Sequence, residues 1–436
     1  MSIETLAEKK PKIYGVEFWR FAFMMILALY HLEIMYPREV RLMPAGTTAV
    51  EFFFILAGFT IAMSASRRFT ETGPRELTAQ ESHKMALDYL KKKLIAIYPV
   101  LAMGLVVSLV VIPMIPSLQF PAFGAHATAQ TPGFWERLLY QLRVLVTSDW
   151  EWLMMVGTPM GLLQTPDTLD FAAPILPLWF LTPLLVVGYF YTFLIHRKYD
   201  LMLFLAPIIA ILGHVFFALH TPISLHFSMQ MGLFDAATVR AISQMALGIT
   251  VFQLYDHMVE CEWTLLKKIL LQVFQLFALW RFFDLTYQAG VGIDNFRRIP
   301  YAAIIILLAF LNVTFLSKLL NRKFMEHLGK LTLTMFIIHF PIALAYFSFM
   351  WRLRFPPGIG AIFPGGGGYP GIPMFLRRTI GINEFGRPIS LSIADIVIYI
   401  GATIIVTLLI HLIIHGIKIG ISKLQRNKSE TQESVS

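Results

Sequence analysis

Apolar runs long enough to cross a bilayer recur along the chain, at residues 14–36, 47–64, 94–115, 175–195, 201–220, 237–255, 265–283, 300–320, 328–350 and 391–415. A hydrocarbon core about 30 Å thick is spanned by about 20 apolar residues in a helix, and a helix satisfies its own backbone within lipid. The pattern therefore predicts an all-α fold, a polytopic membrane helical bundle of about ten transmembrane helices. The second run is short, and the seventh, LLKKILLQVFQLFALWRFF, is the least apolar, so tilt or partial burial is expected at both. Two connections exceed what neighbouring spans require, 116–174 and 351–390. In the first, FWERLLYQLRVLV has the apolar spacing of a helix lying on the membrane or capping the bundle. In the second, FPGGGGYPGIP forbids a regular element and lacks the GK[ST] of a phosphate loop.

Composition agrees with this pattern. With 56% hydrophobic and 14% charged residues in 436, a large soluble core is excluded. The organisation expected is a cytoplasmic tail at 1–13, one transmembrane domain at 14–415, and a second cytoplasmic tail at 416–436. A net charge of +9 would suit nucleic acid, but no basic cluster is interleaved with stacking aromatics, so no nucleic-acid partner is expected. The charge is read as topology. Lysines gather in the alternate connections that would be cytoplasmic with the amino terminus inside, among them Lys91, Lys92, Lys93, Lys267 and Lys268. Both termini are then cytoplasmic, and the membrane lipids are the surrounding partner. The single cysteine, Cys261, permits no intramolecular disulfide and falls in a short polar loop.

Within the first run, Arg20 and His31 interrupt the apolar text. Eleven positions at 100° per residue make about three turns, which places both on one helix face about 16 Å apart. Either alone is explained by snorkelling to the head groups. Two ionisable groups on one face favour a bundle interior or a wet cavity, because each costs roughly 2.5 kcal/mol or more in lipid. Glu17, one turn before Arg20, can pair with it on that face. Glu33 points elsewhere and is expected at the interface. Glu51 begins the second run at about the depth of His31. His339 sits midway along the ninth run, where both a cavity role and polar packing are open. His411 and His415 have the four-residue spacing of a metal pair, but no carboxylate or cysteine joins them, so no metal is expected.

Arg20 and His31 followed by Val50, Glu51, Phe53, Phe54, Gly58 and Phe59 resemble the opening signature of the integral-membrane acyltransferase family 3. Glu17 stands where that family carries an acidic residue. Leu328, Gly329 and Lys330, followed by Ile338, His339 and Pro341, resemble its late "LGK…H-P" span. Two departures accompany the likeness. The family's "RIYP" reads AIYP here, with Ala96 at the arginine's place. Its "W-S-L-x-V-E" patch reads Trp179, Phe180, Leu181, Thr182, Pro183, Leu184, without the glutamate.

The resemblance implies a membrane O-acyltransferase in a bacterial inner membrane, moving an acyl group, most often acetyl from acetyl-CoA, onto a hydroxyl of an envelope or exported glycan or glycolipid. For that chemistry Arg20 is the candidate contact for a coenzyme A phosphate, through its planar fork of donors. His31 is the candidate general base, since imidazole titrates near neutrality in water. Glu51 is the candidate carboxylate that fixes its tautomer, and Glu17 and His339 are candidate cavity residues. A secondary transporter or flippase is the alternative from physics alone, although no repeat relates the two halves. The acyl group, the acceptor and the oligomeric state stay open.

Overall fold

The computed structural model describes residues 13–33, 42–73, 76–111, 134–136, 138–139, 142, 178–220, 230–231, 234–288, 297–354 and 391–433. Among them eleven helices are numbered in chain order: α1 (Gly15–Glu33), α2 (Ala49–Thr72), α3 (Ala79–Val111), α4 (Leu178–Arg197), α5 (Tyr199–His220), α6 (Ala236–Val259), α7 (Leu265–Tyr287), α8 (Ile299–Leu311), α9 (Phe315–Leu320), α10 (Met325–Arg354) and α11 (Ile393–Glu433). A two-residue antiparallel pair, Gln230–Met231 with Phe234–Asp235, precedes α6. The fold is an all-α polytopic membrane bundle. Each of the ten apolar runs is helical over most of its described residues, and eight helices among the described residues are long and apolar enough to span a bilayer.

The two runs that miss that criterion do so for different reasons. α6 carries Arg240, Ser243 and Gln244 and falls short in hydropathy, yet these three side chains are buried. It packs on α2, α4, α5 and α8, so protein surrounds it where lipid would otherwise demand apolar residues. The run 300–320 is not one helix. Asn312 takes the left-handed conformation (φ 53°) and ends α8, and Thr314 caps α9 by accepting a hydrogen bond from Ser317 N. The break is stapled to α7: Thr314 Oγ1 donates to Gln275 Oε1 at 2.6 Å, and Gln275 Nε2 donates to Ser317 Oγ at 3.1 Å.

Other boundaries also move. α3 starts at Ala79, well before the apolar run, because Thr78 and Glu81 form a reciprocal capping box. Ser392 and Asp395 do the same for α11, which continues as helix through the expected tail to Glu433. Of the segment FWERLLYQLRVLV, the described residues 134–136, 138–139 and 142 are helical. The remainder of 116–174, and the glycine-rich stretch of 351–390, lie outside the described residues. Glu33 is fully buried rather than interfacial and accepts a hydrogen bond from Met43 N at 2.7 Å. Arg298 is likewise buried: its Nε donates to Leu285 O at 2.8 Å and its Nη1 to Ala45 O at 3.3 Å.

Two close helix approaches position the polar residues of the interior. α2 and α6 meet backbone to backbone, since a Cβ on Gly58 would overlap the Met245 carbonyl and one on Gly248 the Ile55 carbonyl. The helices run parallel there, which brings Glu51 and Arg240 together about two turns before the crossing. α1 and α10 also pack along each other. At one end Gly329 leaves room for the Glu17 side chain. At the other, His31 meets His339.

Candidate active site

The face predicted for Arg20 and His31 is divided between two environments. Arg20 opens onto a cavity of about 540 Å³ between α1, α2, α3, α4, α8 and α10. One end of this cavity is basic, with Arg20, Arg67 and Lys93, together with Glu17. The Arg20 guanidinium holds Glu17 at 2.6 Å while about a third of its side chain stays accessible. Lys93 reaches the cavity from α3 one turn before Ala96, which also lines it, so a cation is present although the position of the family arginine is not cationic. Gly329 explains the "LGK" patch in physical terms, because any larger residue would displace the Glu17 carboxylate that Arg20 holds. The other end of the cavity is aromatic, formed by Phe53, Phe180 and Phe336.

His31 lies beyond that aromatic end and pairs with His339. His339 is fully buried and does not line the cavity; it follows the lining residue Phe336 by about one turn of α10. Its Nε2 stands 3.0 Å from His31 Nδ1. The tautomers follow from the neighbours. His339 Nδ1 lies 3.0 Å from Met335 O and 2.8 Å from Phe336 O, and carbonyls only accept, so this nitrogen carries the proton. Nε2 of the neutral ring is then an acceptor. The contact needs one donor, which is His31 Nδ1–H, and the same nitrogen lies 3.0 Å from Leu27 O, a second acceptor. Both sets of contacts leave the lone pair of His31 on Nε2. Tyr399 of α11 ties the two helices of this pair together, through contacts with Ala28 O at 3.2 Å and His339 O at 3.1 Å.

Glu51 is elsewhere. Its Oε1 accepts from Arg240 Nε at 2.6 Å and lies 2.5 Å from Arg240 Nη2, with both side chains about 1% exposed. The contact with the imidazole of His31 is made by His339, a pairing that sequence reasoning did not foresee. Arg240 was visible in sequence as a charge in an apolar run, without its partner. Lys93 stood in the run of three lysines, where helical phase alone does not say which lysine faces inward. Other polar residues within the apolar runs also have partners: His214 Nδ1 faces Ala210 O at 2.6 Å, Arg281 holds Asp284 at 2.5 Å in a part-exposed pair along α7, and the buried Asp395 accepts from Tyr346 Oη at 2.7 Å. Among the described residues no group of three or more histidine, cysteine or acidic residues is arranged to hold a metal.

The bundle of spanning helices thus encloses a part-basic, part-aromatic cavity, with a buried, oriented imidazole beyond its aromatic end. A family model described as an acyltransferase domain, acyltransferase 3, matches residues 13–414, and the chain belongs to that family. No curated protein and no solved structure matches the chain significantly.

Proposed function

We propose that this acyltransferase takes its acyl group, acetyl in the simplest case, from an acyl-CoA held in the cavity and delivers it to a hydroxyl of an envelope or exported glycan, in a bacterial inner membrane with both termini cytoplasmic. The observation that carries the reading is the polarity of the site: cations for a phosphorylated carrier at one end of the cavity and, beyond its aromatic end, a buried imidazole whose Nδ1 contacts leave the lone pair on Nε2. Arg20 is the candidate phosphate contact, with Arg67 and Lys93 adding charge and Glu17 holding the Arg20 fork in place. His31 Nε2 removes the proton of the acceptor hydroxyl as its oxygen attacks the thioester carbonyl. The tetrahedral intermediate collapses with cleavage of the carbon–sulfur bond, and the thiolate recovers that proton from the imidazolium. His339 accepts the His31 Nδ1–H throughout, the part a carboxylate plays in other oriented imidazoles. Glu51 serves the site through architecture, by fixing α2 against α6.

Purified full-length protein in lipid nanodiscs, given acetyl-CoA with and without a glycan extract, tests the scheme through donor affinity and free-thiol release. Arg20→Ala is expected to weaken donor binding, and His31→Ala to bind donor normally but release no thiol. A protein that neither binds acetyl-CoA nor releases thiol would overturn the assignment and favour a carrier.

A further inference from the structure

The aromatic end of the cavity lies between the donor's binding space and the base. Phe180 of α4 and Phe336 of α10 are each only 4% exposed, and their ring centroids stand 5.3 Å apart. Phe53 closes the third side at 6.1 Å from Phe180. Beyond them the rings continue without interruption: Phe336 to His339 at 6.1 Å, then His339 to His31 at 4.9 Å. Along α10 the cavity lining stops at Phe336 and the histidine follows about one turn later. A thioester entering from the basic end meets these rings immediately before the imidazole pair.

We propose that Phe180 and Phe336 set the size of the acyl group transferred. This rests on the acyl-CoA reading above and adds to it the residues that select the length of the acyl chain. Two buried rings stand between the cavity and His339, with Phe336 6.1 Å from that imidazole and Phe180 packed on Phe336, so an acyl group that reaches past them needs room that these rings vacate by rotating. Each further methylene asks for more displacement in a close-packed interior, where small increases in volume are resisted. Acetyl makes the smallest demand. Shortening either ring opens volume at the point where the chain would extend, while the cations at the far end are untouched, so carrier affinity is preserved and chain-length preference moves.

The test compares acetyl-, butyryl- and hexanoyl-CoA as donors for the full-length protein in nanodiscs, with Phe180→Leu, Phe336→Leu and Phe336→Ala beside wild type. Phe277→Leu, at an exposed position on α7, is the control. Coenzyme A affinity and thermal resistance are measured on every variant, and the leucine variants cover the case in which the alanine variant fails to fold. The expected result is a wild-type preference for acetyl, shifted toward butyryl by ~10-fold or more per methylene accommodated, with coenzyme A affinity unchanged and no shift in the control. Folded variants that keep the wild-type ratio, or a wild type that uses hexanoyl as well as acetyl, would overturn it. A wild type that releases thiol from no acyl-CoA would instead bring down the underlying reading.

Discussion

The pair formed by Glu51 and Arg240 decides between a chemical and an architectural role for a carboxylate that the sequence associated with His31. Both side chains are about 1% exposed, and one carboxylate oxygen faces two guanidinium nitrogens at 2.6 and 2.5 Å. Removing one member of such a pair strands a buried charge and costs about 3–5 kcal/mol, whereas replacing both with apolar residues is often neutral or better. Glu51→Leu and Arg240→Leu should therefore each destabilise by that amount. The double variant should return to within about 2 kcal/mol of wild type, which makes the coupling several kcal/mol. The assay is denaturation in mixed micelles for all four proteins, followed by thiol release from acetyl-CoA. If Glu51 is architectural, the double variant regains activity along with stability. Wild-type stability in Glu51→Leu, or a stable double variant with no turnover, would refute the reasoning and return Glu51 to the chemistry.

Three further perturbations probe other joints. His339→Gln offers an amide oxygen to the His31 Nδ1–H and should keep much of kcat and its pH profile, whereas His339→Leu should lose about 10²-fold or more in kcat with donor affinity unchanged; equal loss in both would mean packing alone. Gly248→Ala places a methyl group against the Ile55 carbonyl and should cost about 1–3 kcal/mol in the same denaturation assay. Asn312→Gly should be close to neutral and Asn312→Val should cost about 1–2 kcal/mol in that assay, because only the former accepts φ 53° freely.

The apolar runs located the helices, all but 300–320 as single elements, because lipid imposes its demand residue by residue, in a form that a hydropathy pattern records. The demand fails to apply where protein replaces lipid, so α6 is polar and central, and where a polar residue breaks a run, so Asn312 and Thr314 split α8 from α9. The shared face of Arg20 and His31 was also legible, since both sit on one helix whose phase is known. Partners on other helices were not: that Glu51 meets Arg240 and that His31 meets His339 depends on helix crossings set by Gly58, Gly248 and Gly329. The aromatic end was opaque for a different reason, because Phe180 and Phe336 look like any apolar residue in a span until the cavity beside them is seen.

The most direct test of acyl transfer through His31 is the alkali-labile acyl content of surface glycans in cells lacking the gene, complemented with wild type or His31→Ala at matched membrane abundance. The account predicts that wild type restores the ester and His31→Ala does not. Equal restoration by both would contradict it.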